Sequence, residues 1–244
     1  MVFFGVDGCR RGWFFVRREG NKTEYGVVSR LEQLIPPTPE PCFLFIDIPI
    51  GLRDESGDPR PCDISARRLL GPKRAPSVFP APARVVLDES DYSNAVAISK
   101  RLTGKGISRQ VFAIVPKIRE VDELLARNKR AREMVREVHP ELCFWALNGR
   151  RPMHYRKKCA EGFAERMSVL RKVLPEAETI CEKALAEYPR KDVARDDIAD
   201  ALIALATALA PVGVQLTVPS NPERDSHGLP MQMVYALTTD LGRP

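Results

Sequence analysis

The sequence predicts an α/β fold in which a mixed sheet is flanked by helices and carries an inserted Pro- and Arg-rich segment. Three observations lead there. Residues 2–6 (VFFGV) and 13–17 (WFFVR) are short aromatic and β-branched runs on either side of the turn DGCRRG, the pattern of a β-hairpin. Residues 42–48 (CFLFIDI) are apolar apart from one aspartate, which suits a central strand covered on both faces. Ile198, Leu202, Leu205 and Leu209 recur at offsets of four, three and four, so a helix over 196–210 presents them on one face that must pack on the sheet.

The remaining elements follow in chain order. A third strand fits 24–28, and a brief helical turn fits 31–35 before Pro36 and Pro37 stop it. Residues 49–84 are rich in Pro, Gly and Arg and read as an ordered excursion rather than core, so a single domain over 1–244 with an insertion at about 50–118 is expected. Helices fit 90–102 and 118–133, with the Gly-containing segment GKGISRQVF as a loop between them. A strand over 135–138 is expected to end at Pro140. Helices over 162–174 and 177–188 precede the amphipathic one, and the segment after Pro211 is irregular until an apolar stretch at 231–237.

Composition narrows the classes of function. Lys and Arg number 38 against 32 Asp and Glu, a formal charge of +6 that favours a polyanionic partner. The six cysteines, Cys9, Cys42, Cys62, Cys143, Cys159 and Cys181, form no CxxC pair, which argues against a zinc knuckle or a compact disulfide framework and for reduced thiols in a cytoplasm. The first residues, MVFFGVDGC, have no basic leader, and Asp7 interrupts the apolar stretch, so no secretory signal is expected. The apolar run over 201–213 is shorter than the roughly 20 residues a membrane-crossing helix needs, so no membrane partner is expected.

Acids stand where a core would not put them. Asp47 lies inside a buried apolar run, where a charge costs desolvation energy unless it is paired or bound to metal. Asp7 ends the first apolar strand, although an Asp-Gly pair also suits a turn. Asp196, Asp197 and Asp200 open the amphipathic helix, more acids than its dipole and cap require. Asp197 and Asp200, three apart, reach a shared rim of that helix, which leaves Asp196 as the expected N-cap. Hydrolysis of a phosphodiester commonly uses two divalent ions about 3.5–4 Å apart held by clustered carboxylates, and these acids have the chemistry for it.

The segments GVDGCRRGW, FIDIPIGL, CDISARRLLGPKRAPSVFPAPAR, EVHPELCF and DDIADALIALATA together resemble the domain-of-unknown-function 429 family, regarded as a predicted nuclease of ribonuclease H-like fold. The resemblance spans most of residues 2–210. It implies a ribonuclease H-like mixed five-stranded sheet, with Asp7 on the first strand, Asp47 on the fourth, and Asp197 and Asp200 on the final helix as ligands of Mg²⁺ or Mn²⁺. That helix is also similar to the terminal helix of Holliday-junction resolvases.

Ribonuclease H-like enzymes usually add a Glu on a helix after the third strand, where this chain offers only Glu32 and Glu40. Glu137 in REVHPE is the substitute, and His139 is the candidate to assist proton transfer to the leaving oxygen. Arg10, Arg11, Arg67, Arg68, Lys73, Arg74 and Lys117 are candidates to hold phosphates, and Arg10 and Lys73 fall in the matching segments. The basic run 156–158 is expected to be plain surface.

The expected function is therefore metal-dependent hydrolysis of nucleic acid. Two other readings stay open. A phosphotransferase of related topology would need a second Gly-rich phosphate loop, and no DxGxT-like turn follows the first. A non-catalytic nucleic-acid or protein-binding module would keep the fold without turnover, although clustered carboxylates repel DNA unless metal lies between. The sequence leaves homodimer formation open, and with it the choice among DNA, RNA, a junction and a nucleotide.

Overall fold

The computed structural model describes residues 1–37 and 40–238. The chain opens with strands β1 (Val2–Cys9), β2 (Gly12–Glu19) and β3 (Lys22–Val28), a short 3-10 turn at Leu31–Leu34, and β4 (Cys42–Ile46). Four helices follow: α1 (Pro61–Arg74), α2 (Tyr92–Thr103), α3 (Arg109–Arg127) and α4 (Lys129–Met134). Strand β5 (Val135–Glu137) then leads into α5 (Pro140–Leu147), α6 (Ala160–Val173), α7 (Ala177–Glu187) and α8 (Arg195–Leu209), and the described chain closes with β6 (Gln215–Val218) and β7 (Met233–Ala236). Among the described residues no helix is long and apolar enough to cross a membrane.

The described residues divide into two compact units, 1–47 with 134–217 and 234–238, and 48–133 with 218–233. The first unit holds a five-stranded sheet of order β3-β2-β1-β4-β5. β1 pairs antiparallel with β2 and parallel with β4, β2 pairs antiparallel with β3, and β4 pairs parallel with β5. The sheet is therefore mixed. Central β1 is buried along most of its length because both its edges and its faces are covered.

Helix α8 lies directly on β1. A Cβ at Gly5 would stand 2.1 Å from the Ala201 carbonyl oxygen and 2.2 Å from the Leu205 nitrogen, so the backbones touch where only hydrogen fits. Ile198, Leu202 and Leu205 are fully buried, as the periodicity required. Residues 198–208 are in fact buried all round, since α5, α6 and α7 pack against the rest of this helix.

Several elements differ from the sequence reading. The excursion over 49–84 contains α1, which buries Cys62, Asp63, Ala66 and Leu70 and is interrupted by Gly71 at φ 67°. Pro61 stands in its first turn, where the missing N–H costs nothing. The helix expected from 118 begins nine residues earlier at Arg109, capped by the Ser108 hydroxyl, which accepts from the Val111 N–H at 3.2 Å. It ends at Asn128, whose side chain accepts from Ala131 N–H and restarts the chain as α4. Pro140 ends the strand as expected but also opens α5, an apolar helix that the sequence reading lacks.

In the second unit, Arg84 organises the polar interior. Its guanidinium donates to Asp122 at 2.9 and 3.1 Å and also ion-pairs with Asp54 and Asp225, which joins the segment 218–233 to helix α3. Asp225 in turn accepts the N–H groups of Leu52, His227 and Leu229. Arg60 makes a comparable buried pair with Asp63 and donates to the Ile50 carbonyl at 3.0 Å.

Candidate carboxylate site

The first unit brings Asp7, Asp47, Asp197 and Asp200 together at one end of its sheet, and the local geometry explains how. Gly5 and Asp7 are two apart on β1 and so share a face. Two strand residues advance about 6.6 Å and one helical turn about 5.4 Å, so contact of Gly5 with Ala201 and Leu205 sets Asp7 beneath the preceding turn of α8, where Asp197 and Asp200 lie. Asp47 follows the last residue of β4, and its N–H donates to the Val6 carbonyl at 3.1 Å, which extends the parallel register to the pair Asp7 and Asp47. Both acids stand at the carboxyl ends of neighbouring parallel strands, where open α/β sheets form their crevices.

The turn between β1 and β2 is Arg10-Arg11, as Cys9 pairs with Gly12 and Asp7 with Phe14. Asp7 is thus an interior strand residue and not the turn former that its Asp-Gly pair allows. Nor does Asp196 cap α8. The N-cap is Ala194, whose N–H donates to the Asp197 carboxylate at 2.8 Å, so Asp197 serves the helix start and the site together.

Burial and mutual repulsion push these carboxyls upward. Asp7 is raised well above the usual carboxylate range, first by burial and then by the charges of Asp47, Asp200 and Asp197. Asp47 is raised to about 7, by burial and then by Asp200. Asp197 is raised to about 6, chiefly by burial, although its bond from Ala194 opposes the shift. Asp200 is raised by burial, against the pull of Lys157. Four aspartates that resist ionising one another form a group poised for a cation.

Lys157 is the residue the sequence reading placed on plain surface. Its Nζ meets Asp200 at 2.7 Å and Asp196 at 3.6 Å, and the charge of Asp200, before any other cause, holds its ammonium well above the ordinary lysine range. Loop residues carry no periodicity from which such a reach could be read. Glu141, in the first turn of α5, adds its negative charge to the field at Asp47 and Asp200. It ion-pairs with Arg166, a fully buried guanidinium that also donates to the Gly162 carbonyl at 2.9 Å and lies over the Phe144 ring. Cys143, two residues on from Glu141, is pushed by burial to about 12 and stays a neutral thiol.

The other sequence candidates fall elsewhere. Glu137 is buried on β5 in register with Ile46, and hence with Val6, so it shares their face of the sheet and not that of Asp7. His139 is the half-buried N-cap of α5, its carbonyl accepting from the Leu142 and Cys143 N–H groups. Arg10 and Arg11 are exposed at the hairpin turn, and the Arg10 N–H donates to the Asp192 carbonyl just ahead of α8. Lys73 and Lys117 belong to the second unit, exposed and half-buried respectively, and Arg67 there donates to the Val78 carbonyl at 2.6 Å.

A mixed-sheet α/β protein with a nest of buried and half-buried aspartates at its parallel strand ends is the class that this fold and site define. The description "Protein of unknown function (DUF429)" matches residues 5–224, so the chain belongs to that family. Searches of curated proteins and of solved structures gave no match.

Proposed function

We propose that the aspartate nest binds a divalent cation, Mg²⁺ or Mn²⁺, and that the chain is a metal-dependent phosphodiester hydrolase acting on nucleic acid from a ribonuclease H-like fold. One observation carries this reading: among the described residues four clustered aspartates face one ammonium, that of Lys157, and burial with mutual repulsion holds them toward their neutral forms, so a divalent cation there would relieve the repulsion and let them ionise. The donor set fits, since hard carboxylate oxygens on two neighbouring strands and one helix suit Mg²⁺ or Mn²⁺ and offer no soft ligand to compete.

Asp7, Asp47, Asp197 and Asp200 would hold the cation, which when bound neutralises phosphoryl charge and lowers the pKa of a water. The residues of the chain supply the rest. Asp7 sits on β1 and Asp47 directly follows β4, tied to Val6 by its N–H, so their carboxylates are ordered before substrate arrives. Asp197 is fixed by its bond from Ala194, and the Arg166–Glu141 pair steadies the wall formed by α5 and α6. Arg10 and Arg11 at the hairpin turn are the phosphate contacts of this unit. In the second unit Lys73 and Lys117 add basic character, in keeping with a chain of net charge +6. His139 and Glu137 are assigned no step by the geometry.

The non-catalytic module keeps one supporting observation, because Lys157 already neutralises part of the nest. Calorimetric titration of Mg²⁺ and Mn²⁺ into wild type and Asp47→Asn, followed by incubation with single- and double-stranded DNA, RNA and branched junctions, separates the two. Binding lost in the variant together with metal-dependent cleavage supports the hydrolase. Nucleic-acid binding indifferent to metal would leave the module.

A further inference from the structure

Lys157 sits on the connection between α5 and α6, and that connection is pinned at both sides of it. The Glu165 carboxylate accepts the N–H groups of His154 and Tyr155 at 2.7 and 3.0 Å. Arg166 donates to the Tyr155 carbonyl at 3.3 Å. Gly162 lies so near the Arg156 carbonyl that a Cβ would stand 1.9 Å from its oxygen, and the Cys159 N–H donates to that same oxygen at 3.2 Å. The backbone is thereby held while the lysine side chain remains 40% exposed. Its ammonium can leave Asp200 by rotation about side-chain bonds alone, with no rearrangement of the loop.

We infer that Lys157 is the resident counter-cation of the aspartate nest, and that a divalent cation binds there in competition with this tethered ammonium, which swings out as the metal enters. The inference rests on the proposed metal site. An ammonium 2.7 Å from Asp200 occupies one of the directions from which a metal would approach that carboxylate, and two cations at such a distance repel. Metal affinity is then reduced by whatever free energy the lysine gains from its ion pair. The pinned loop, which keeps the ammonium at high local concentration, sets that gain. The arrangement makes the site selective for cations of higher charge, since a monovalent ion gains no more from the aspartates than the lysine it replaces.

The test is calorimetric titration of Mg²⁺ into full-length wild type, Lys157→Met, Lys157→Arg and Glu165→Ala, with no nucleic acid present. Lys157→Met is expected to bind about tenfold more tightly, equivalent to about 1.4 kcal/mol, and Lys157→Arg to bind as wild type does. Glu165→Ala keeps every charge of the nest but frees the loop, so it too is expected to tighten binding, and it serves alone should the methionine variant fail to fold. Equal or weaker binding in Lys157→Met and Glu165→Ala, with wild-type binding intact, overturns the competition while the metal site stands. Absence of Mg²⁺ binding in all four proteins overturns the metal site and the competition with it.

Discussion

Replacing Asp47 by Asn should make the metal-free protein more stable at alkaline pH while removing its affinity for metal. The carboxyl of Asp47 is raised from 3.8 to about 7, mostly by burial, so the folded state holds its proton more tightly than the unfolded chain does. A group raised in this way favours folding fully below its unfolded value, and that contribution is lost as pH rises through about 7. A rise from 3.8 to about 7 corresponds to about 4 kcal/mol as an upper bound. Asp7 and Asp200 share the repulsion and Asp47 is only partly buried by surface area, which brings the expected gain of Asp47→Asn to about 1–2 kcal/mol at pH 8.

For a chain of this length that is about 3–6 °C in Tm. Thermal unfolding in EDTA at pH 5 and pH 8 measures it. At pH 5 the folded carboxyl still holds its proton while the unfolded one has lost it, so a smaller gap is already expected there, and it should widen with pH until about 7. Saturating Mg²⁺ should reverse the order, because only wild type gains the ligand's stabilisation. A variant that melts below wild type at pH 8 in EDTA, or a difference independent of pH, would show that Asp47 is a structural partner and refute the strained nest.

Gly5→Ala should cost about 3 kcal/mol or more, because the new methyl drives α8 off β1, and metal affinity should fall with it as Asp197 and Asp200 move from Asp7; melting and calorimetry on one sample check both. Arg166→Met should destabilise by about 3 kcal/mol, since Glu141 is left buried without its cation, while Arg166→Met combined with Glu141→Leu should recover much of the loss. Arg84→Ala should open the second unit locally by stranding Asp122 and Asp225, seen as faster hydrogen exchange over 218–233 with the sheet amides unchanged.

The sheet was legible because its strands carry period-two patterns and one long apolar run, and α8 because four aliphatic residues keep helical spacing over three turns. The acids of the site were legible for the opposite reason, since Asp47 contradicts the pattern around it. Prolines misled in both directions. Pro61 and Pro140 open helices, yet each also reads as a breaker, and Pro116 inside α3 hid the first two turns of a helix that Ser108 caps. Lys157 and the Arg166–Glu141 pair were invisible, because their partners are 43 and 25 residues away and no local spacing announces them. The face of Glu137 depends on register, which the sequence does not show: paired with Ile46, it lies on the side of the sheet opposite Asp7.

Strand and helix geometry make the nest a consequence of packing at one glycine. Backbone contact at Gly5 fixes the rotation of α8, and once Ile198, Leu202 and Leu205 are buried, the residues of its first turns have nowhere to point but the strand ends that carry Asp7 and Asp47. The hydrophobic energy of that helix is what holds like charges together, so apolar substitutions far along it should act on the site. Leu205→Ala, which leaves a cavity beside Gly5, is expected to cost about 2–5 kcal/mol and to loosen metal binding, although no atom of Leu205 carries charge. If melting fell by that amount while Mg²⁺ affinity stayed at the wild-type value, the nest would be held by its own local contacts, those of Lys157 and Ala194, and not by the packing of α8 on β1.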